Sequence, residues 1–276
     1  MPTSSAIHKG YVTLAEGQVH YRERAGHGPA IVFLHQTALS SRSYERLLAA
    51  LSLPHRLIAP DTPGFGQSFA PDGWPSMPQY ARWLLAALDA LGVGEAHLFG
   101  HHTGASLAVE MARLQPARIR SLMLCGPVCF TKEESDGFRD DFRRALAPAA
   151  DGSHLLENWR YTADNNAGVA PEVVHDQVVD MLIAWRGRPQ AYIAVADQDF
   201  PPAFEATRAP TLILSSAGDY FEDHVERCRA LRPDAEVVEI GGGNLAPELD
   251  APGTARAVER FIRAIEISPA GAPPGK

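Results

Sequence analysis

Apolar and polar positions alternate along the first part of the chain in a rhythm of short strands and longer helices. Residues 11–14 and 18–22 flank the turn-like Glu16-Gly17 and predict a β-hairpin. Residues 31–34, Ile-Val-Phe-Leu, form a continuous apolar run of the kind carried by a strand buried on both faces of a parallel sheet. In 42–51, Tyr44, Leu47, Leu48 and Leu51 fall on one helical stripe. A strand over 56–59 runs into DTPGFGQS at 61–68, a loop made of turn formers. Residues 80–91 are amphipathic, 95–99 and 121–124 read as strands, and 103–114 as a helix rich in small residues. Strands separated by helices imply βαβ units, so the predicted class is α/β with a mostly parallel central sheet and helices on both faces.

Residues 131–208 break that rhythm. Phe138, Phe142, Ala145 and Leu146 share a helical face, as do Val174, Val178, Met181, Leu182 and Trp185 after Pro171, and no clear strand intervenes. The alternation resumes with strands over 211–214 and 236–240 and helices over 223–231 and 254–265. The expected organisation is therefore an α/β core over 1–130 and 209–267, interrupted by a helical cap over 131–208. The Pro/Gly-rich stretch 268–276 is expected to be disordered. An insertion at the carboxyl ends of sheet strands is placed to roof a ligand crevice.

Composition narrows the function. With 33 acidic against 25 basic residues in 276, a net charge of −8, the chain is a poor fit to work that rests on neutralising nucleic-acid phosphates. No apolar run reaches the roughly 18 residues of a membrane span. The opening MPTSSAIHKG lacks the apolar centre of a secretory signal, so a cytoplasmic protein, monomer or homodimer, is expected. Cys125, Cys129 and Cys228 form neither a CxxC pair nor a disulfide framework and read as core fillers. The 11 histidines are the one unusual count.

Four features, in order and at these spacings, resemble the α/β-hydrolase superfamily over nearly the whole chain. They are Phe33-Leu34-His35 after the third strand, the D-x-P-G-x-G-x-S segment at 61–68, GHHTGA at 100–105, and Asp219 after a late strand. The resemblance implies a nucleophile elbow of the form G-x-S-x-G, in which the flanking glycines let helix and strand backbones approach closely. Here the elbow reads Gly100-His101-His102-Thr103-Gly104, with His102 where the family carries Ser, Cys or Asp. Asp219 matches the triad acid, with Asp223 as a fallback. Asn244, in the loop GGGNLAPELD, stands where the family keeps its catalytic histidine, and His224 fits no triad position.

Two altered positions beside a retained acid suggest a rebuilt site, with a His102–Asp219 dyad acting as general base and Asn244 orienting one of the two. Covalent attack by His102 is an alternative, and a filler imidazole at the elbow is the bland one. By the same resemblance, the oxyanion donors are the backbone N–H groups of Gln36 and Thr103, while His35 positions the loop more than it catalyses. His101 and His102 leave a tight turn in different directions, and HExxH is absent, so no metal is expected. The chain lacks GxGxxG at its first strand–helix turn and a phosphate loop. Gly241-Gly-Gly243 reads as a turn with no helix directly after it, so no cofactor is expected.

The cap supplies the expected substrate pocket through His154, Trp159, Tyr161 and Trp185, with His35 below. Asn158, Tyr192 and residues 197–200 are further roof candidates, and His154 or His175 a second acid or base. The expected function is cofactor-independent hydrolysis of a small carbonyl or ester-like molecule. A lyase or isomerase on the same dyad, and a non-catalytic ligand-binding protein, are the alternatives.

Overall fold

The computed structural model describes residues 6–143 and 146–267. Ala145 and residues 268–276, for which a helical position and a disordered tail were expected, lie outside these described residues.

Eight strands form one sheet in the order β1-β2-β4-β3-β5-β6-β7-β8. They are β1 (Ile7–Thr13), β2 (Gln18–Arg24), β3 (Ala30–Leu34), β4 (Leu57–Pro60), β5 (Ala96–His101), β6 (Ile119–Cys125), β7 (Thr211–Ser216) and β8 (Glu236–Ile240). The hairpin pairs β1 with β2, and β2 runs antiparallel to β4, whereas β3 to β8 pair in parallel.

Helices cover both faces: α1 (Glu45–Ala50), α2 (Met77–Ala90) and α3 (Thr103–Leu114) come before β6. Between β6 and β7 lie α4 (Lys132–Phe142), α5 (Ser153–Asn165), α6 (Pro171–Ile183), α7 (Gly187–Ala196) and α8 (Phe200–Glu205), with no strand among the described residues. After β7 come α9 (His224–Leu231), α10 (Ala246–Leu249) and α11 (Ala251–Ile267).

The continuous apolar runs follow from this layering. Along β3, Val32 and Leu34 face the cluster built on α2 and α3, while Ile31 and Phe33 face the cluster built on α1 and α11. Both faces are dry, so the period-2 alternation of a half-exposed strand disappears.

Three local expectations need correction. The stripe predicted over 42–51 begins as a 3₁₀ turn, Ser41–Tyr44, because Ser40 caps it by accepting the Arg42 backbone N–H. Helix α4 stops at Phe142, so Leu146 is not on its face. A helical segment does follow the triglycine: a 3₁₀ turn spans Gly243–Leu245 and leads into α10.

The helices between β6 and β7 are fastened to core loops. Arg42 pairs with Asp176 at 2.6 Å and with Asp180 at 3.1 Å, and Ser40 Oγ donates to Asp180 at 2.9 Å. On the far side, Gln190 Nε2 donates to the carbonyls of Pro71 and Gly73. Gly187 lies so close to Gly64 that a Cβ would meet the Gly64 carbonyl at 2.3 Å.

Candidate active site

Strand order fixes where a site can form. From β3 the chain crosses to β4 on one side, then returns to β5 on the other, so the loops after β3 and β5 diverge and leave a crevice at their carboxyl ends. His35 and Gln36 follow β3, and His102 follows β5.

The turn between β5 and α3 is as tight as its glycines require. A Cβ on Gly100 would meet the Gly104 carbonyl oxygen at 2.2 Å, and one on Gly104 the Leu34 carbonyl oxygen at 1.8 Å. His102 caps α3 with φ 47° and ψ −109°, alone among the described non-glycine residues in having positive φ. Such a conformation costs about 1–3 kcal/mol and persists only where surroundings impose it. Here the His102 N–H donates to the Cys125 carbonyl at 3.0 Å, while its carbonyl accepts from the N–H groups of Ala105 and Ser106.

The strained turn delivers the imidazole to the acid. His102 Nε2 lies 2.8 Å from Asp219 Oδ2, with both side chains buried. Asp219 Oδ1 accepts the Phe221 backbone N–H at 2.7 Å. Burial pushes the Asp219 carboxyl up, yet the His102 charge and hydrogen bond, with help from His101 and the Phe221 N–H, outweigh it and hold the group below its ordinary range. With Nε2 engaged by the Asp219 carboxylate, Nδ1 is the ring nitrogen left to face a reactant.

Three neighbours complete the surroundings: Gly126 and Phe221, which no sequence expectation named, and His101, which was expected to leave the turn in a different direction from His102 but packs its ring on it. Gly126, just after β6 with φ +52°, presses its backbone on the pair: a Cβ there would lie 2.6 Å from His102 Cδ2 and 2.9 Å from Asp219 Oδ2. Phe221 meets the His102 ring edge-on at 4.9 Å. The buried His101 ring lies 4.1 Å from that of His102, and burial together with the His102 charge drives its pKa well below the ordinary imidazole value. The available signal was a glycine directly after an apolar strand, which marks a turn or a close approach.

The other candidates are distributed as follows. Asn244 hydrogen-bonds to neither member of the pair; its Oδ1 accepts the Tyr220 backbone N–H at 2.7 Å, holding the loop that carries Asp219. Thr103 opens α3, where a backbone N–H has no acceptor within the helix, and its Oγ1 accepts from Thr37 Oγ1 at 2.9 Å. The Gln36 side chain donates to the Asn244 carbonyl at 3.3 Å. His35 is consumed by backbone, Nδ1 on the Gln36 carbonyl and Nε2 on the Thr62 N–H, and burial lowers its pKa, leaving it neutral. His224 Nδ1 similarly accepts the Cys129 N–H.

A small cavity of ≈ 50 Å³ lies beside the loops that carry the pair, bounded by Gln36, Thr37, Tyr161, Tyr192, Tyr220 and Asn244 among others. Of the expected pocket residues, Tyr161 lines it; His35, Trp159, Trp185 and the imidazole of His102 do not. Trp159 is 37% exposed, Trp185 lies under the Arg186 guanidinium, and His154 lines a separate outer cavity.

Two groups bring three ligand-type atoms within 4.8 Å of one another: His101, His102 and Asp219, and His55, His97 and Glu266. In the first, His102 Nε2 is spent on Asp219 and Gly126 packs on the same atoms. In the second, at the start of β5, His55 Nε2 lies 2.8 Å from Glu266 and His97 Nδ1 2.8 Å from Ser121 Oγ. No helix among the described residues is long and apolar enough to cross a membrane.

Sequence comparison finds a haloalkane dehalogenase of Mesorhizobium japonicum, 31% identical over 121 residues, which are 44% of this chain and 39% of that protein. An epoxide hydrolase of Caballeronia sordidicola is 33% identical over 149 residues, 53% of this chain and 44% of that protein. The chain thus spans less than half the length of these relatives. Among solved structures, a thermophilic esterase from Thermogutta terrifontis superposes with a TM-score of 0.74 at 22% identity, covering 94% of this chain and 99% of that one. The model of the alpha/beta hydrolase fold family matches residues 29–251, so the chain, with its mostly parallel eight-stranded sheet and its elbow after β5, belongs to that family.

Proposed function

We propose that this protein is a cofactor-independent hydrolase of small carbonyl or ester-like molecules in which His102 and Asp219 act as a general-base dyad. The observation that carries the reading is the 2.8 Å contact between His102 Nε2 and Asp219 Oδ2, made from a backbone held at φ 47°. A filler residue would not need that strain or an ionised partner. The relatives named as hydrolases support the reaction class.

In the proposed reaction His102 Nδ1 takes a proton from water as its oxygen attacks the substrate carbonyl. Backbone N–H groups of Gln36 and Thr103 stabilise the oxyanion. Collapse expels the alkoxide, which receives the proton from His102, and one water converts ester to acid and alcohol. Residues 131–208 serve as the cap, and the Gln36 side chain, held to the Asn244 carbonyl by one long bond of 3.3 Å, gives way to admit substrate.

The test is turnover of a panel of esters, lactones, epoxides and β-dicarbonyl compounds by the protein and by His102→Ala and Asp219→Asn. Each substitution is expected to abolish turnover while binding persists. Unchanged turnover in both variants overturns the dyad. Intact mass of a reaction quenched mid-turnover is expected to show no adduct; one on His102 replaces base catalysis with covalent attack.

A further inference from the structure

Tyr161 and Tyr192 border two cavities at once: the small one beside the loops that carry His102 and Asp219, and an outer one of ≈ 690 Å³ between α4, α5 and α7. Arg188 lines the outer cavity, one turn before Tyr192 on α7. Its guanidinium carbon lies 4.6 Å from the Tyr161 ring centre and 5.7 Å from that of Tyr192. Arg42, Arg139, Arg227 and Arg232 each have a carboxylate partner, whereas Arg188, like Arg24, Arg46 and Arg186 among the described residues, has no ion pair; what sets it apart is its place on the cavity wall between two tyrosine rings.

A half-buried cation without a counter-ion gives up hydration that only partly returns from aromatic faces. Arg188 gives one N–H to the Tyr192 side chain; a guanidinium carries five, and stacking engages only its flat face, so an edge remains in the fork geometry that fits a carboxylate with two parallel hydrogen bonds. Asp141 and Glu157 line the same cavity but are exposed, where water and salt screen them; Arg188 sits deeper, beside the tyrosine wall.

We propose that Arg188 reads a carboxylate on the substrate, so that the molecule acted on at His102 is a small ester or lactone bearing a second, free carboxylate. This rests on the hydrolase reading above for its reacting group, but the recognition itself is a binding property. The tyrosine rings present flat apolar surface to the body of the ligand, and Arg188 holds its charged end.

Phenylacetate and its neutral isostere phenylacetamide separate the two ideas when titrated by calorimetry or NMR against the wild-type protein, Arg188→Met, Arg188→Lys and His102→Ala. A charge-assisted pair predicts at least a tenfold preference for phenylacetate in the wild type and in His102→Ala. The preference is expected to vanish in Arg188→Met with its melting temperature retained, and to survive partly in Arg188→Lys, which keeps charge but loses the fork. Equal binding of both probes by the wild type, or an undiminished preference in Arg188→Met, overturns the proposal. Absence of ester turnover alongside an Arg188-dependent preference sinks the hydrolase reading while leaving the carboxylate site standing.

Discussion

Gly126 and His102 are packed so closely that the backbone of one limits where the ring of the other can go: a Cβ on Gly126 would lie 2.6 Å from His102 Cδ2 and 2.7 Å from Nε2. Gly126 also sits at φ +52°, which an L side chain rarely adopts. The third face of the dyad is therefore built from main chain, where a side chain would separate imidazole from carboxylate. Gly126→Ala is expected to lose at least tenfold in kcat on any substrate the protein turns over. The accompanying stability loss is about 1–3 kcal/mol, the usual cost of strain and overpacking. Parallel kinetics and thermal melts check this; wild-type kcat in a folded variant would mean that the 2.8 Å contact has no part in turnover.

Asn244 acts at one remove, through the Tyr220 N–H next to Asp219. Asn244→Ala leaves that donor without its acceptor and costs about 1 kcal/mol of stability, with kcat falling more than KM rises as Asp219 loses its fixed position. A pure KM effect in steady-state kinetics would place Asn244 in substrate binding instead.

Asp61, from the D-x-P-G-x-G-x-S segment, proves to be a structural anchor. Its carboxylate meets His20 Nδ1 at 2.8 Å and accepts the backbone N–H groups of Ser41 and Gln67. Burial raises its pKa, but the hydrogen bonds, that of His20 foremost, outweigh it and bring it from 3.8 to about 2. A depressed carboxyl stabilises the fold fully above about pH 4, and the contribution, about 2 kcal/mol, is lost as pH falls toward 2. Urea denaturation from pH 7 to 2.5 is expected to show this acid limb in the wild type. Asp61→Asn, already destabilised at pH 7, is expected to show a flatter one; identical limbs would refute the assignment.

Arg42 ties α6 to the loop after β3 through Asp176 and Asp180. Since Arg42 is partly exposed, Arg42→Ala is expected to cost only about 1–2 kcal/mol. Cleavage by a protease within residues 131–208 should accelerate several-fold. Equal cleavage rates would show that the Gln190 and Gly187 contacts suffice to hold these helices.

The local pattern determined much of this protein. Apolar runs such as 31–34 and 121–124 are strands because both faces of the sheet are covered, and Gly100 and Gly104 mark the elbow because only hydrogen fits beneath Gly104 and Leu34 carbonyls. Gly100 and Gly104 are four positions apart and each apolar run is continuous, so local spacing reveals them, although the Leu34 carbonyl and the covering helices lie far away in sequence. The pairing of His102 with Asp219 was expected from resemblance, but its closeness depends on a turn, two strand ends and a loop meeting across 117 positions of chain. Gly126 behind the imidazole, Asn244 on the Tyr220 N–H and not on the dyad, and Arg188 between two tyrosines were decided only by the tertiary structure. Contacts between remote segments depend on how helices seat on the sheet, and side-chain direction at an elbow or cap follows from that packing, which no periodicity in the sequence records.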